Sequence, residues 1–318
     1  MRPLVIAHRG ASGYLPEHTL AAKLLAHQMG ADYLEQDVVA TRDDELVVMH
    51  DIHLDRVTDV AEQFPGRARE DGRFYVRDFE LEELRGLQAR ERVHADGTPV
   101  YPGRHPADTG YFPLHTLAEE IEFIQRLNEE AGRVAGIYPE IKRPAWHREE
   151  GVDIAPLLLD RLEAAGYRGR SDPVYVQCFD AAEVRRLKHE LDCPFRLVQL
   201  IGANSWGEAE TDYDELRTAR GLEQVAESAD AIGPWLMYAY ELARHDDVPV
   251  ATGLVHEAKS HGLAVHPYTF RADDLPRGFE NFAELVRFFA DELEVDGLFT
   301  DFPDLARDAL DNSDNPDV

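Results

Sequence analysis

Cysteine is close to absent: Cys178 and Cys193 are the two thiols in 318 residues. Two cysteines cannot make a disulfide scaffold, and a pair of buried free thiols is the expected state. Positive charge is also scarce. Lys and Arg number 33 against 62 Asp and Glu, a formal net charge of −29, and so acidic a chain argues by simple electrostatics against nucleic acid and anionic membrane surfaces as partners. The excess sits in stretches such as TDYDEL, which read as a solvated surface of the kind favoured in salty surroundings. No apolar run approaches the roughly 18 residues of a membrane-spanning helix. The opening MRPLVIAHRG lacks a secretory h-region and cleavage site. As written, the chain is expected in the cytoplasm, with the periplasm as the alternative if a leader was removed. What is present, 44% hydrophobic residues, suffices for one continuous core.

Nine strand-like runs alternate with helical patterns: PLVIAH, ADYLEQDVV, ELVVMH, GIYPEIK, VYVQCF, FRLVQLI, DAIGPW, LAVHPY and DGLFTD. Nine is one too many for an eight-stranded barrel. ATRDDE, between the second and third runs, is too short for a parallel crossover, so ELVVMH should fold back antiparallel as a hairpin. The expected fold is an α/β chain, a TIM (β/α)8 barrel forming one domain over residues 1–318. A small polar, Pro/Gly-rich insertion over 51–115 should sit above the catalytic mouth. It contains one short helical piece, LEELRGL, and its FPGR and YPGR segments read as turns. In HTLAAKLLAHQMG, Leu20, Leu24 and Leu25 define the apolar face and Gly30 the left-handed stop. Thr116 and Glu119 make a capping box, and after Asp304 a last helical turn or two gives way to a polar tail, NSDNPDV.

The chemistry gathers at strand ends. Glu35 and Asp37 are two apart, so they face the same way, and Glu140 and Lys142 repeat that relation. Three carboxylates without a thiolate or paired-imidazole set suit a hard divalent cation, Ca²⁺ first and Mg²⁺ second, better than Zn²⁺. Each piece alone reads equally as a salt-bridged rim. His8 shares a face with Leu4 and Ile6 and should line the barrel interior, while His50 ends the hairpin strand next to Asp51. Two histidines beside a metal can divide acid and base work. Arg9 can fork onto a phosphate, or pair with a rim carboxylate such as Asp301. Phe179 and Tyr268 are candidates for a pocket wall touching a choline-like cation, whereas Trp235 reads as core. The remaining histidines, among them His27, His53, His105 and His147, fall in loops or on polar faces and take no role.

The pieces HRGASGYLPEHT (8–19), Glu35-Gln36-Asp37, His50-Asp51, Glu140-Ile141-Lys142 and Thr300-Asp301-Phe302-Pro303 stand in the order of one family's pattern. Over Val5 to Pro303 the chain resembles the glycerophosphodiester phosphodiesterases, and GYLPEHT, YLEQD and YPEIK resemble their bacterial periplasmic branch. The resemblance implies a divalent cation on Glu35, Asp37 and Glu140. It implies His8 and His50 as general acid and base, with Arg9 and Lys142 on the phosphate. The implied reaction cleaves a glycerophosphodiester, such as glycerophosphocholine or glycerophosphoethanolamine, to sn-glycerol 3-phosphate and an alcohol. Two other readings stay open: a phospholipase-like lipid phosphodiesterase, which would need an exposed apolar rim, and a silent binding protein on the same barrel, which would be expected to have lost a ligand or histidine.

Overall fold

The computed structural model describes residues 2–106, 109–244 and 247–312. Its frame is a ring of eight short parallel strands: β1 (Leu4–Ala7), β2 (Tyr33–Ala40), β4 (Gly136–Ile141), β5 (Tyr175–Cys178), β6 (Arg196–Ile201), β7 (Ala231–Pro234), β10 (Ala264–Val265) and β11 (Gly297–Thr300). β3 (Leu46–Val48) pairs antiparallel with β2, Val38 opposite Val48, as the short ATRDDE link requires. The ladder is continuous from β10 round to β11. The ring closes through the chain just beyond β10, where the Phe270 N–H donates to Phe299 O at 2.8 Å and the Phe299 N–H to Pro267 O at 3.0 Å. Helices over Leu20–Gln28, Leu117–Ala131, Ile154–Ala164, Ala181–His189, Ala219–Ala226, Leu254–Ser260, Phe282–Arg287 and Pro303–Asp311 form the outer layer. This is the TIM-barrel architecture.

Alternation along the strands separates two cores. Val5, Ala7, Leu34, Val38, Ile137, Val176 and Leu298 face outward into the helix layer. Ile6, Tyr138, Val198, Ala231 and Phe299 face inward and plug the barrel, with Tyr33 and Tyr175 packed against them. Tyr138 and Tyr175 stack with ring centroids 4.8 Å apart.

Several local expectations hold. Thr116 and Glu119 make the reciprocal capping box, and Gly30 takes φ +82° just past the first helix. Both cysteines are buried and free. Others are corrected. The fully buried face of the first helix is Ala22, Lys23, Ala26 and His27, with Leu20, Leu24 and Leu25 only half-buried. Small alanines let the helix approach closely, and a Cβ on Gly10 would lie 2.9 Å from the Ala22 carbonyl carbon. Lys23 is drawn inward by Glu120 at 2.9 Å. His27 and His147 are interior residues: His27 meets Asn128, and His147 accepts from the Ala40 N–H at 3.1 Å. A hairpin of β8 (Tyr240–Leu242) and β9 (Pro249–Ala251) follows β7 without a legible signal, because three-residue strands are shorter than any readable alternation.

The segment between β3 and the Leu117 helix carries more apolar packing than its polar composition implied. Leu54, Val57, Val60, Phe74, Val76, Phe79 and Leu84 close over Val39, Val47 and Met49 of the β2–β3 hairpin. The LEELRGL helix spans Leu81–Leu84. The Pro303–Asp311 helix ends the described chain, and the polar tail lies, beyond Asn312, outside the described residues.

Candidate active site

On five of the eight strands a step of two or four residues along the inward face changes the barrel's contents. Ile6 gives way to His8, Tyr33 to Glu35 and Asp37, Tyr138 to Glu140 and Lys142, Tyr175 to Gln177, and Phe299 to Asp301. All of these polar residues stand at the C-terminal ends of the strands, the end where such barrels keep their sites. A cavity of about 290 Å³ opens there, lined by His8, Arg9, Glu35, Asp37, His50 and Glu140 and by Phe179, Trp206, Trp235 and Tyr268; Lys142 and Asp301 stand behind the lining, on Glu140 and His8.

Among the described residues, Glu35, Asp37 and Glu140 each bring a carboxylate oxygen within 4.8 Å of the others. Each is held from behind. Glu35 accepts from the Arg9 N–H and from Gln177 Nε2, both at 2.8 Å, and Asp37 Oδ2 lies 2.6 Å from His18 Nε2. Lys142 Nζ is 2.7 Å from Glu140 Oε1. Burial, with Asp37 beside it, pushes Glu35 up to about 8. Burial raises Glu140 strongly as well, while Asp37 is driven down because Lys142 and His18 outweigh its burial. The cluster therefore holds fewer negative charges than it has carboxyls, the behaviour of hard donors crowded together. Asp37 Oδ1 is buried with no hydrogen-bond partner.

The two motif histidines have parallel settings. His8 Nδ1 lies 2.5 Å from Asp301 Oδ1, and His50 Nδ1 lies 2.6 Å from Asp51 Oδ1. Burial, helped by Arg9, lowers His8 to about 3 and lowers His50 too, so both imidazoles are neutral. A neutral ring donating from Nδ1 to a carboxylate presents a bare Nε2. Arg9 does not pair with Asp301. Its guanidinium goes to Glu17 at 2.9 Å and approaches Asp37 at 3.7 Å. The HRGASGYLPEHT loop reaches this geometry by backbone choice. Arg9 and His18 take φ of 59° and 58°, and a Cβ on Gly13 would strike the Phe302 ring at 2.5 Å. Left-handed backbone at non-glycine residues is costly and concentrates at functional sites.

Phe179 and Tyr268 stand in the wall as expected, edge to face at 5.9 Å. Trp235 is corrected from core to wall: it is half-buried, lines the cavity and leans on Trp206 at 5.1 Å.

The sequence pattern of the glycerophosphoryl diester phosphodiesterase family matches residues 8–305. The chain belongs to that family. It is accordingly an enzyme of the phosphodiesterase class. A glycerophosphodiester phosphodiesterase of Haemophilus influenzae is 43% identical over 95% of this chain and 88% of its own length. One from Treponema pallidum is 38% identical over 95% and 90%. A Silicibacter pomeroyi protein described as a glycerophosphoryl diester phosphodiesterase superposes with TM-score 0.72 at 23% identity, covering 98% of this chain and 94% of that one. An Oleispira antarctica phosphodiesterase, solved with the product sn-glycerol-3-phosphate, gives 0.65 at 21%, covering 98% of this chain and 97% of that one. These structural likenesses establish the shared fold.

Several residues of the site escaped the sequence reading. Glu17 and His18 lie inside the HRGASGYLPEHT motif, and Gln177 sits two residues beyond Tyr175 on the same strand face, where a period-2 count reaches it. Arg271 donates to Asp301 at 2.8 Å from just past Tyr268. Arg92 and Arg104 lie in the insertion and carried no signal at all.

Proposed function

We propose that this chain hydrolyses glycerophosphodiesters to sn-glycerol 3-phosphate and a free alcohol, using a divalent cation. The observation that carries the reading is the convergence on one cavity of two carboxylate-backed neutral histidines and a three-carboxylate cluster. The relatives named above for this activity, and the product held by the Oleispira antarctica neighbour, support the same substrate class.

Glu35, Asp37 and Glu140 fit a hard cation. Their donors are all oxygen, Asp37 Oδ1 is buried and unpartnered, and Glu35 and Glu140 resist ionisation together. Ca²⁺ or Mg²⁺ suits that set, and when bound would supply a Lewis acid for the phosphate oxygens. The chain's own groups carry the rest. Arg9 and Lys142 offset the phosphate charge, Lys142 from the same strand face as Glu140. One imidazole takes a proton at its bare Nε2 from the attacking hydroxyl, whether of water or of the substrate's glycerol; the other must first take up a proton at Nε2 beside the bound phosphate, and gives that proton to the departing alkoxide. The carboxylates on Nδ1 keep each ring in the tautomer that this exchange needs.

The aromatic wall of Phe179, Trp206, Trp235 and Tyr268, with Glu208 beside it, suits an ammonium head group such as choline. The Tyr268 hydroxyl is already bonded to Ile201 O at 3.0 Å, so the residue offers its ring. A coupled assay for sn-glycerol 3-phosphate, with glycerophosphocholine and glycerophosphoethanolamine as substrates, tests the reading. Release is expected, stopping on verified metal removal and returning with Ca²⁺ or Mg²⁺. Full turnover after chelation overturns the metal requirement, and no release from any glycerophosphodiester overturns the function.

A further inference from the structure

The insertion reaches the catalytic end through one hairpin. The Arg90 N–H donates to Val57 O at 2.8 Å and the Val93 N–H to Arg56 O at 3.0 Å, so the hairpin hangs from the insertion's apolar core. Its turn is built by Asp96, which accepts from the Thr98 N–H at 3.0 Å, and by Gly97 at φ +83°. The Val100 N–H donates to Arg92 O at 3.0 Å, fixing the base of the first arm. Arg92 stands at that base and Arg104 just beyond the second arm, in the YPGR turn.

The side chains of these two arginines end on the two carboxylates behind the histidines. Arg92 Nη1 donates to Asp51 Oδ2 at 2.6 Å while Asp51 Oδ1 holds His50. Arg104 Nη2 donates to Asp301 Oδ2 at 2.7 Å while Asp301 Oδ1 holds His8. In each pair one carboxylate oxygen serves the imidazole and the other an arginine from the insertion. The FPGR turn shows that this is not a property of the triplet: its Arg67 stays inside the insertion, on Glu83 and over the Phe79 ring. Arg104 is almost completely buried, with a side chain 5% exposed, and Arg92 17%, so these charge-assisted bonds are little screened.

We infer that Arg92 and Arg104 are positioning residues for the reaction, holding both histidine–carboxylate pairs in register from the insertion. The inference rests on the reading of His8 and His50 as acid and base. The two arginines are not equivalent. Asp301 has a second guanidinium, Arg271, whereas Asp51 has Arg92 alone among the arginine contacts described. Arg92 also grips Glu17 Oε1 at 2.6 Å, and Glu17 Oε2 holds Arg9 at 2.9 Å. Loss of Arg92 therefore frees His50 and the phosphate-facing Arg9 together, while loss of Arg104 leaves Asp301 half-anchored.

Steady-state kinetics on glycerophosphocholine separate positioning from mere support. Arg92→Met should lower kcat roughly 10–100-fold, the range seen when a partner behind a working residue is removed, and should raise KM as Arg9 loosens. Arg104→Met should lower kcat less, with KM near wild type. Arg→Lys at each position should recover part of kcat, and guanidinium ion added to Arg92→Ala or Arg104→Ala should do the same. Arg69→Met is the control: Arg69 joins Asp78 of the insertion to Glu150 of the barrel, so its loss should lower the melting temperature and leave kcat unchanged. Wild-type kcat in folded Arg92→Met and Arg104→Met, or losses equal to the Arg69 control with no rescue, overturns the inference. Where Arg92→Met does not fold, Arg92→Gln decides, since it removes the cation and an unchanged kcat overturns the inference equally. If His8→Ala and His50→Ala keep full turnover, the acid–base reading falls. If they lose it while both arginine variants keep it, the positioning inference falls alone.

Discussion

The two ends of the barrel interior are built from the same strands and obey opposite rules. At the lower end Ile6, Tyr138, Val198 and Phe299 interlock, Tyr138 edge to face with Phe299 at 5.0 Å, and apolar and aromatic surface leaves water. That contact stabilises the fold. Two to four residues beyond Tyr33 and Tyr138, β2 and β4 bring three carboxylates within 4.8 Å of one another. This crowding costs stability, as the raised Glu35 and Glu140 show. The lower end supplies the rigidity that keeps the upper end from relaxing into separate salt bridges. The contrast is that of a packed plug beneath a strained, preorganised site.

The sharpest break between the ends is functional. His8→Ala and His50→Ala should each lower turnover roughly 10²–10⁴-fold, the usual worth of a positioned acid or base, with little change in stability. Turnover within a few-fold of wild type, in protein of unchanged melting temperature, removes that histidine from the chemistry.

Acid should load both ends, through His8 and His18 above and His266 below. His266 lies in the lower core, sharing a hydrogen bond with the Tyr138 hydroxyl at 2.8 Å, and burial lowers it to about 4. From pH 6.5 down to about 4 the unfolded chain takes up a proton that the folded ring refuses. The lower end therefore loses about 3 kcal/mol across that window. His266→Gln should flatten this loss in urea denaturation at pH 7 and pH 4, and parallel curves for variant and wild type would refute it.

Glu35 should respond in the opposite sense. In metal-free protein the folded Glu35 keeps its proton up to about pH 8 while the unfolded side chain has lost it, so stability falls as pH rises through that window. Glu35→Gln should raise the melting temperature of the chelated protein at pH 8 by roughly 2 °C, as about 1 kcal/mol would. It should also erase the rise that Ca²⁺ or Mg²⁺ gives the wild type. A variant less stable than wild type in chelator would show that Glu35 supports the fold.

Much of this was legible because it is local. Glu35 with Asp37, and Glu140 with Lys142, share a face by strand alternation alone, and the short link before β3 forces an antiparallel return whatever the rest of the chain does. The helix facing failed where polar burial overrode pattern: Lys23 and His27 go inward because Glu120, a backbone carbonyl and Asn128 await them there. Trp235 was misread because an aromatic on a strand end looks the same whether it packs a core or walls a cavity.

The amino-acid sequence by itself determined the strand and helix succession, the alternation that points the motif side chains inward, and the family to which they belong. Each depends on spacings of two to four residues or on residue type. Tertiary structure alone decided which carboxylate backs which histidine. His8 meets Asp301 across 293 positions of chain because β1 and β11 become neighbours when the ring closes. It also decided that the insertion's arginines, Arg92 and Arg104, end on Asp51 and Asp301. Such contacts are set by how separate segments stack in space, and no local period in the chain encodes that distance.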